Sequence, residues 1–421
     1  MRIAIVCEVT ALLLSLSPQI VQAEDAVHLL TWNDCVAIAM KSNPDLAASS
    51  YAVESGKASY KGSFNGLLPQ ISLSNSAGES AAARSQSWQA QASASLNLFD
   101  AGQMANIKVS KASLAQATAS LRQTSANLRY SLRNAFLKLL FSQENVEISR
   151  RIIDLRARSA KLVSLRYDAG TESRGNMLRA QAELLQAQVV YDQALADLRT
   201  SQKNLDRQLG WDDFRTVTAT GTLDIGGLPT FPTIDDSMFA NVPDIAVQEA
   251  AVKSSLAGLE QSKSSLFPAL SASYSRSRAG TAEFPASQYG WTAGATLSYP
   301  LFSGGLTATY YAVSAAQRNV EKARASLRSA REQAVVNLEG SWANWFKAAG
   351  NVKIDLALLE SARQRNIEGD IRYNSGLLTY DNWEIISSDR VSQERQLLTD
   401  RLNAALSEAA WGQALGKALG E

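Results

Sequence analysis

The chain has 421 residues, is 46% hydrophobic and 19% charged, and sets 41 Lys and Arg against 40 Asp and Glu for a formal charge of +1. That balance excludes the basic footprint of a nucleic-acid-binding protein. One histidine and five scattered methionines offer no metal-ligating spacing, and no phosphate loop, paired catalytic carboxylate or nucleophile constellation occurs, so an enzyme, a cofactor and a metal centre are not expected.

Residues 1–23 have the order of a secretory signal. Met1-Arg2 is followed by an apolar stretch to Leu16, a break at Pro18 and the small-residue site Val21-Gln22-Ala23, with cleavage expected after Ala23. Glu8 interrupts the apolar run, which is too short for the roughly 20 residues of a membrane helix. Removal of the signal takes Cys7 and leaves Cys35 alone, so the exported chain has no intramolecular disulfide and must be held by packing and assembly. His28, near the new N-terminus, is expected to be disordered.

Thr31 is a helix N-cap with Asp34 three residues on, and the amphipathic pattern runs to Met40. Asn43-Pro44 breaks the chain, and a second helix extends from Asp45 to about Phe64. Two β-hairpin segments follow the same plan. In the first, Ile71 and Leu73 alternate with Ser72 and Ser74 in a strand from Gln70 to Ala77, and from Trp88 to Leu98 apolar even positions alternate with Gln, Ser and Asn. In the second, Leu270, Ala272 and Tyr274 alternate with serines, and from Tyr289 to Leu301 the face of Tyr289, Trp291, Ala293, Ala295, Leu297, Tyr299 and Leu301 opposes Gly, Thr and Ser. Polar loops near Gly78–Ser87 and Ser277–Gln288 join the strands.

Such alternation also fits a half-buried strand of a soluble sandwich. Membrane-length strands, small hydroxylic residues on one face and aromatics toward both ends of the other favour a membrane barrel. Trp88, Tyr289 and Trp291 mark one lipid-facing girdle, and Phe99 and Tyr299, with Phe302, the other. Four strands cannot close a barrel, which needs about eight or more, because an open edge in lipid leaves backbone groups unpaired. A membrane reading therefore requires an oligomer.

No proline lies between Pro69 and Pro229 or after Pro300, which leaves room for very long helices. A descending helix from Gln103 to about Leu165 carries Leu114, Leu121 and Leu128 at heptad spacing, turns at Gly170 and returns from about Asn176 to Leu209. A second descends from Leu306 to about Ile371, turns at Gly376 and returns to about Leu415; Gly340, Gly350 and Gly369 are expected to kink or break it. Trp211 to Val242 is a crossover with one short strand near Thr216–Leu223.

The sequence repeats itself roughly two hundred residues apart, too long a period for a solenoid. Asn43-Pro44-Asp45-Leu46 returns as Val242-Pro243-Asp244-Ile245, Leu67-Leu68-Pro69-Gln70 as Leu266-Phe267-Pro268-Ala269, and Leu98-Phe99-Asp100-Ala101-Gly102 as Leu301-Phe302-Ser303-Gly304-Gly305. Arg166-Tyr167-Asp168-Ala169-Gly170 likewise returns as Arg372-Tyr373-Asn374-Ser375-Gly376. The expected units are the signal 1–23, a first repeat 24–210, a crossover 211–242 and a second repeat 243–421.

Taken in order, these duplicated motifs resemble the TolC-like outer-membrane efflux proteins across essentially the whole mature chain. The resemblance implies an α+β membrane protein: a homotrimer whose twelve strands, four per chain, close one β-barrel in the outer membrane, continuous with a long coiled-coil α-barrel in the periplasm. It implies a passive exit channel of a tripartite drug-efflux or type I secretion system in a Gram-negative bacterium. The implied partners are a periplasmic adaptor (membrane fusion protein), an inner-membrane transporter of the RND, ABC or MFS type, and outer-membrane lipid. A soluble periplasmic coiled-coil scaffold or adaptor is the alternative, one that would normally lack the two alternating hairpins. By position, the resemblance assigns adaptor docking at the tip to Arg166, Tyr167, Gly170, Asn176, Arg372, Tyr373, Gly376, Leu377 and Asn382. Asn176 and Asn382 stand where family members commonly place Asp, so Asp381 and Glu384 are the candidates for negative charge at the pore entrance. Contacts among Arg166, Arg372, Asp381 and Glu384 are expected to hold the tip closed, and Arg372→Ser to raise conductance. The first turn, with Glu172 and Arg174, is more charged than the second, so the two docking grooves are expected to differ.

Overall fold

The computed structural model describes residues 28–80, 85–213, 215–223, 242–280, 288–300 and 307–420, with positions 227, 230 and 305. The expected signal segment, the hairpin tips, most of the crossover and the Leu301–Gly304 strand exit lie outside the described residues.

The N-terminal strand β1 (His28–Leu30) corrects the expectation that His28 is disordered. It pairs in parallel with the crossover strand β4 (Val217–Ala219), and the His28 ring lies 5.8 Å from that of Trp211. Local pattern cannot announce such pairing, because the partner lies far along the chain. Helix α1 (Trp32–Ser42) starts with the complete Thr31–Asp34 capping box and buries Cys35 and Ala39. Burial pushes the Cys35 thiol up to about 12, so it carries no reactive thiolate at neutral pH. In helix α2 (Pro44–Gly62) Asn43 caps the first turn by accepting from the amides of Asp45 and Leu46.

Strands β2 (Gln70–Ser80), β3 (Ser85–Phe99), β5 (Ala269–Gly280) and β6 (Gln288–Ser298) form one antiparallel sheet in the order β2-β3-β5-β6. Pairing continues to Ser80↔Ser85 and Ala279↔Gln288, beyond the expected strand ends, so hydrogen bonding absorbs much of each expected polar loop. The register puts Leu73, Ala92, Arg276 and Trp291 in one cross-strand row, and Ile71, Ala94, Tyr274 and Ala293 in another, so the apolar faces of both hairpins merge. Serines, threonines and glycines, with Gln70, Gln89, Gln91 and Asn97, line the other side, where the Ser72 and Ser93 hydroxyls meet at 2.6 Å. A bulge between Asn97 and Phe99 sets Phe99 opposite Leu270. That extra residue brings Phe99, whose odd parity belongs to the polar side, onto the apolar face.

Five further helices carry the rest: α3 (Ala101–Asp168), α4 (Arg174–Leu209), α5 (Pro243–Ser264), α6 (Ala308–Asn374) and α7 (Tyr380–Ala414). The 68 residues of α3 would reach about 100 Å at 1.5 Å per residue. α3 packs on α4, α6 on α7, and α3 also on α2, α5 and α7. The seam of α3 is mostly alanine where leucine was expected: Ala105, Ala112, Ala119 and Ala126 are buried, while of the heptad leucines Leu114 and Leu121 are half-buried and Leu128 is buried in the core. Small side chains at that spacing let helix axes approach closely. Gly340, Gly350 and Gly369 do not break α6, which runs continuously through all three. Each costs about 1 kcal/mol against alanine in a helix, too little to outweigh the packing of α6 on α7. At Gly369 the missing side chain admits Ile386, which would lie 3.3 Å from an added Cβ.

The main core gathers where α1, α3, α4, β1 and β4 meet the C-terminal segment, and buries Leu132, Leu137, Leu139, Leu205, Leu209 and Leu419. No helix among the described residues is long and apolar enough to cross a membrane. Between α6 and α7, Asp355 is 7% exposed. Burial, with a hydrogen bond and the charge of Asp400, pushes its carboxyl from 3.8 up to about 6. A raised carboxylate value means that the folded chain holds this proton more tightly than the unfolded chain, so the contribution grows as pH falls from about 6 toward 4 and is lost above. The unfolding midpoint of the protein minus that of Asp355→Asn should therefore rise between pH 7 and 5 in thermal scans; a flat difference would count against the shared proton.

Candidate functional site at the helical tip

Both helical hairpins turn by the same backbone motif. α3 ends with the Thr171 amide donating to the Arg166 carbonyl at 2.9 Å and Gly170 at φ 74°; α6 ends with Leu377 donating to Arg372 at 2.9 Å and Gly376 at φ 73°. Glycine supplies the left-handed residue at each turn. Ser173 then caps α4 by accepting from the Asn176 amide at 3.1 Å, whereas Thr379 caps α7 without a side-chain bond.

The turns are clasped to each other around Tyr373, which is 1% exposed. Arg166 donates to the carbonyls of Tyr373 at 2.6 Å and Asn374 at 3.0 Å, and its guanidinium lies 4.2 Å from the Tyr373 ring centre. The Tyr373 hydroxyl donates to Glu172 at 3.0 Å, and its ring stacks on Trp383 at 4.4 Å. Trp383 donates from Nε1 to Asp370 at 2.6 Å, and Asn176 from Nδ2 to Glu172 at 2.8 Å. Burial, then the Glu172 hydrogen bond, pushes the Tyr373 phenol up to about 12. Burial opposes ionisation of Glu172, but donors from Asn176, the Ser173 amide and Tyr373, with Arg166 nearby, hold its carboxyl below the ordinary range. Arg166, Asn176 and Tyr373 thus come together, while Tyr167, Arg372, Leu377 and Asn382 are exposed.

Further along the helices lies an ion network that crosses both hairpins. Arg156 pairs with Glu183 at 3.0 Å and with Glu384 at 3.8 Å, and donates to Ser388 at 2.7 Å. Arg179 reaches Glu384 at 3.0 Å, Glu183 at 3.3 Å and Asp381 at 3.7 Å. Burial and the charge of Glu384 push the Glu183 carboxyl up against the two arginines. Asp381 and Glu384, the expected entrance acids, therefore belong to one network through Arg179, with Asp381 at its exposed edge. Arg372 joins no ion pair among the described residues, and Arg166 bonds to backbone carbonyls instead. Sequence reading missed Arg156, Arg179 and Glu183 because they lie outside the turn motifs. One signal was available: Arg156 shares a helical face with Ile152, Ser159, Ala160 and Val163, an odd place for an unpaired charge.

At the opposite end, the apolar sheet face is open. Leu73 is 82% and Trp291 72% exposed, and Phe99, Tyr289 and Tyr299 are also exposed, while Trp88 is half-buried. A sheet with one apolar face, two unpaired edges and long helical hairpins beneath it defines a subunit of a β-barrel channel with a helical extension.

The chain belongs to the outer membrane efflux protein family, whose pattern it matches over residues 36–211 and again over 236–417. It is accordingly an outer-membrane transport protein whose helices extend into the periplasm. It is 22% identical over 271 residues to the cobalt-zinc-cadmium resistance protein CzcC of Cupriavidus metallidurans, a match spanning 64% of this chain and 61% of that one. Among solved structures it is similar to the CmeC outer membrane channel of Campylobacter jejuni, with a TM-score of 0.79 and 15% identity over 91% of this chain and 85% of that one. It is similar also to CusC, with a TM-score of 0.81 and 14% identity over 91% of each.

Proposed function

We propose that three copies of this chain close a twelve-stranded barrel and serve as the exit duct of a tripartite efflux or type I secretion system. The observation that carries this reading is the 4-stranded sheet, open at β2 and β6, with its apolar face uncovered. In lipid those edges must pair, and identical neighbours supply the complementary edge. On this reading the face bearing Trp88, Phe99, Tyr289, Trp291 and Tyr299 meets lipid, and the Ser, Thr and Gly face lines a wet lumen.

The duct has no energy source of its own, so an inner-membrane transporter of the RND, ABC or MFS type drives transport through a periplasmic adaptor. The exposed Tyr167, Arg372, Leu377 and Asn382 rim the two turns and form the adaptor contact, with Gly170 and Gly376 shaping the loops. The Glu172-Asn176 contact in the first turn and the uncapped second turn make the two docking grooves unlike. The network of Arg156, Arg179, Glu183, Asp381 and Glu384 holds the hairpins of one subunit together, and adaptor docking opens the tip by prising it apart. A hydroxylic lumen suits hydrated solutes that pass without being held, and the likeness to CzcC makes divalent cations the first cargo to test. The test is fractionation followed by planar-bilayer recording of the purified protein. A detergent-resistant trimer in the outer membrane that conducts ions supports the duct; a soluble monomer would sink it and favour a periplasmic scaffold.

A further inference from the structure

We propose that a pocket between α1, α3, α6 and the end of α7 binds a small aromatic carboxylate, its ring among the indoles and its acid group on Arg133 and Lys417. Four rings wall the pocket, those of Trp32, Tyr130, Trp345 and Trp411, around a volume of about 260 Å³. A cavity of about 150 Å³ accepts benzene and drug-sized ligands take about 300 Å³ or more, so one substituted ring fits. Local sequence places the walls. Trp345 lies seven residues after Leu338 and seven before Val352, both buried, and so falls on the inward stripe of α6. Beyond α7, Gly416 at φ 75° lets the Lys417 amide turn back to the Gly412 carbonyl at 3.1 Å, which folds the chain over the last helical turn. Arg129 fixes that segment to α3 by donating to the Ala418 carbonyl at 3.0 Å.

The side chains lining this pocket are rich in donors and poor in acceptors. Arg129, Arg133, Lys417 and the Nε1 of Trp345 can only donate, and that Nε1 is buried with no acceptor. The Arg133 guanidinium lies 4.9 Å from the centre of the Trp32 ring, and none of the three cations joins an ion pair among the described residues. Burial holds the Arg133 guanidinium below its ordinary value, with the charge of Glu408 opposing that shift and the charge of Arg129 adding to it. Three cations therefore face one carboxylate, Glu408. An anion that only accepts hydrogen bonds satisfies these donors, and its flat apolar body fills the space among the rings. The hydroxyls of a sugar would instead need acceptors, which only Glu408, Gln413 and Tyr130 supply among these side chains. Every lining residue belongs to one chain, so the site does not depend on closure of a barrel by three copies.

Fluorine NMR of para-fluorobenzoate and para-fluorobenzyl alcohol, titrated with the detergent-solubilised protein against protein-free micelles, tests it. The acid should bind about 10-fold or more tightly than the alcohol, and Arg133→Gln/Lys417→Gln should erase that preference. Trp345→Phe keeps an aromatic wall but loses the donor, and should weaken the acid about 5-fold. Glu408→Gln, at an exposed position, removes the opposing charge and should tighten the acid about twofold, a gain that damage to the fold would not produce. Glucuronate should displace para-fluorobenzoate no better than acetate does. Equal binding of acid and alcohol, acid binding unchanged in the Arg133→Gln/Lys417→Gln protein, weaker acid binding by Glu408→Gln, or full displacement by glucuronate would each overturn the site. The measurement reads the same whether the purified protein is a conducting trimer or a monomer, so its failure leaves the duct standing and failure of the duct leaves the pocket standing.

Discussion

Arg156→Ala should raise the single-channel conductance of the reconstituted protein and loosen its helical tip. Arg156 is 9% and Glu384 7% exposed, and Glu183 is the other carboxylate held by the same guanidinium. Removing one member of a buried ion pair leaves an uncompensated charge, at a cost of about 3–5 kcal/mol. Arg179 still touches both glutamates but is largely exposed, so the lower end of that range applies, about 3 kcal/mol. The two carboxylates should then repel, and α4 and α7 should part at the level of Glu183 and Glu384. Adding Glu384→Gln removes one of the facing charges and should restore much of the original conductance. Arg372→Ser, expected from sequence alone to open the channel, becomes the contrast: exposed and outside this network, it should change conductance by less than about twofold. If Arg156→Ala conducts like the parent while Arg372→Ser does not, the latch lies between subunits and not within one.

The second large effect is expected at Gly210, the residue that ends α4 at φ 77°. An added Cβ would lie 2.3 Å from the Ser42 carbonyl oxygen and 2.7 Å from the Asn43 Cα, both backbone atoms that cannot swing aside. Asn43 is fixed there too, because its Nδ2 donates to the Gln208 carbonyl at 2.9 Å while its Oδ1 caps α2. Gly210→Ala thus combines a left-handed L-residue, about 1–2 kcal/mol, with displacement of the α1–α2 joint, for a total of about 3 kcal/mol or more. Urea titration should show a clearly lowered midpoint and a reduced yield of oligomer. Gly170→Ala and Gly376→Ala have nearly the same φ but nothing within 4 Å of an added Cβ, so each should cost only about 1 kcal/mol. Equal losses at all three glycines would mean that backbone strain alone matters and that the joint is not tightly packed.

Much of the architecture was legible because its signals are local. Period-two alternation with hydroxylic residues on one side foretold all four strands of the sheet, and the spacing of prolines left room for α3 and α6. Where expectation and structure part, the physical cause is non-local. His28 is ordered by parallel pairing with Val217, Phe99 changes face at a bulge, and the glycines of α6 are carried by packing on α7. At the tip, the turn motifs led to Arg166, Tyr373 and both glycines, but not to Arg156, Arg179 or Glu183. Those three are ordinary helix residues until the hairpins fold side by side.

By itself, then, the amino-acid order determined the long helices, the four strands of the sheet and most of their two faces, since each follows from spacing along one segment of backbone. Tertiary structure alone decided which charges meet. Arg156 and Glu384 are more than two hundred residues apart in the chain, and what brings them together is the packing of α3 against both α4 and α7, which strips water from both and sets Arg156 between Glu183 and Glu384.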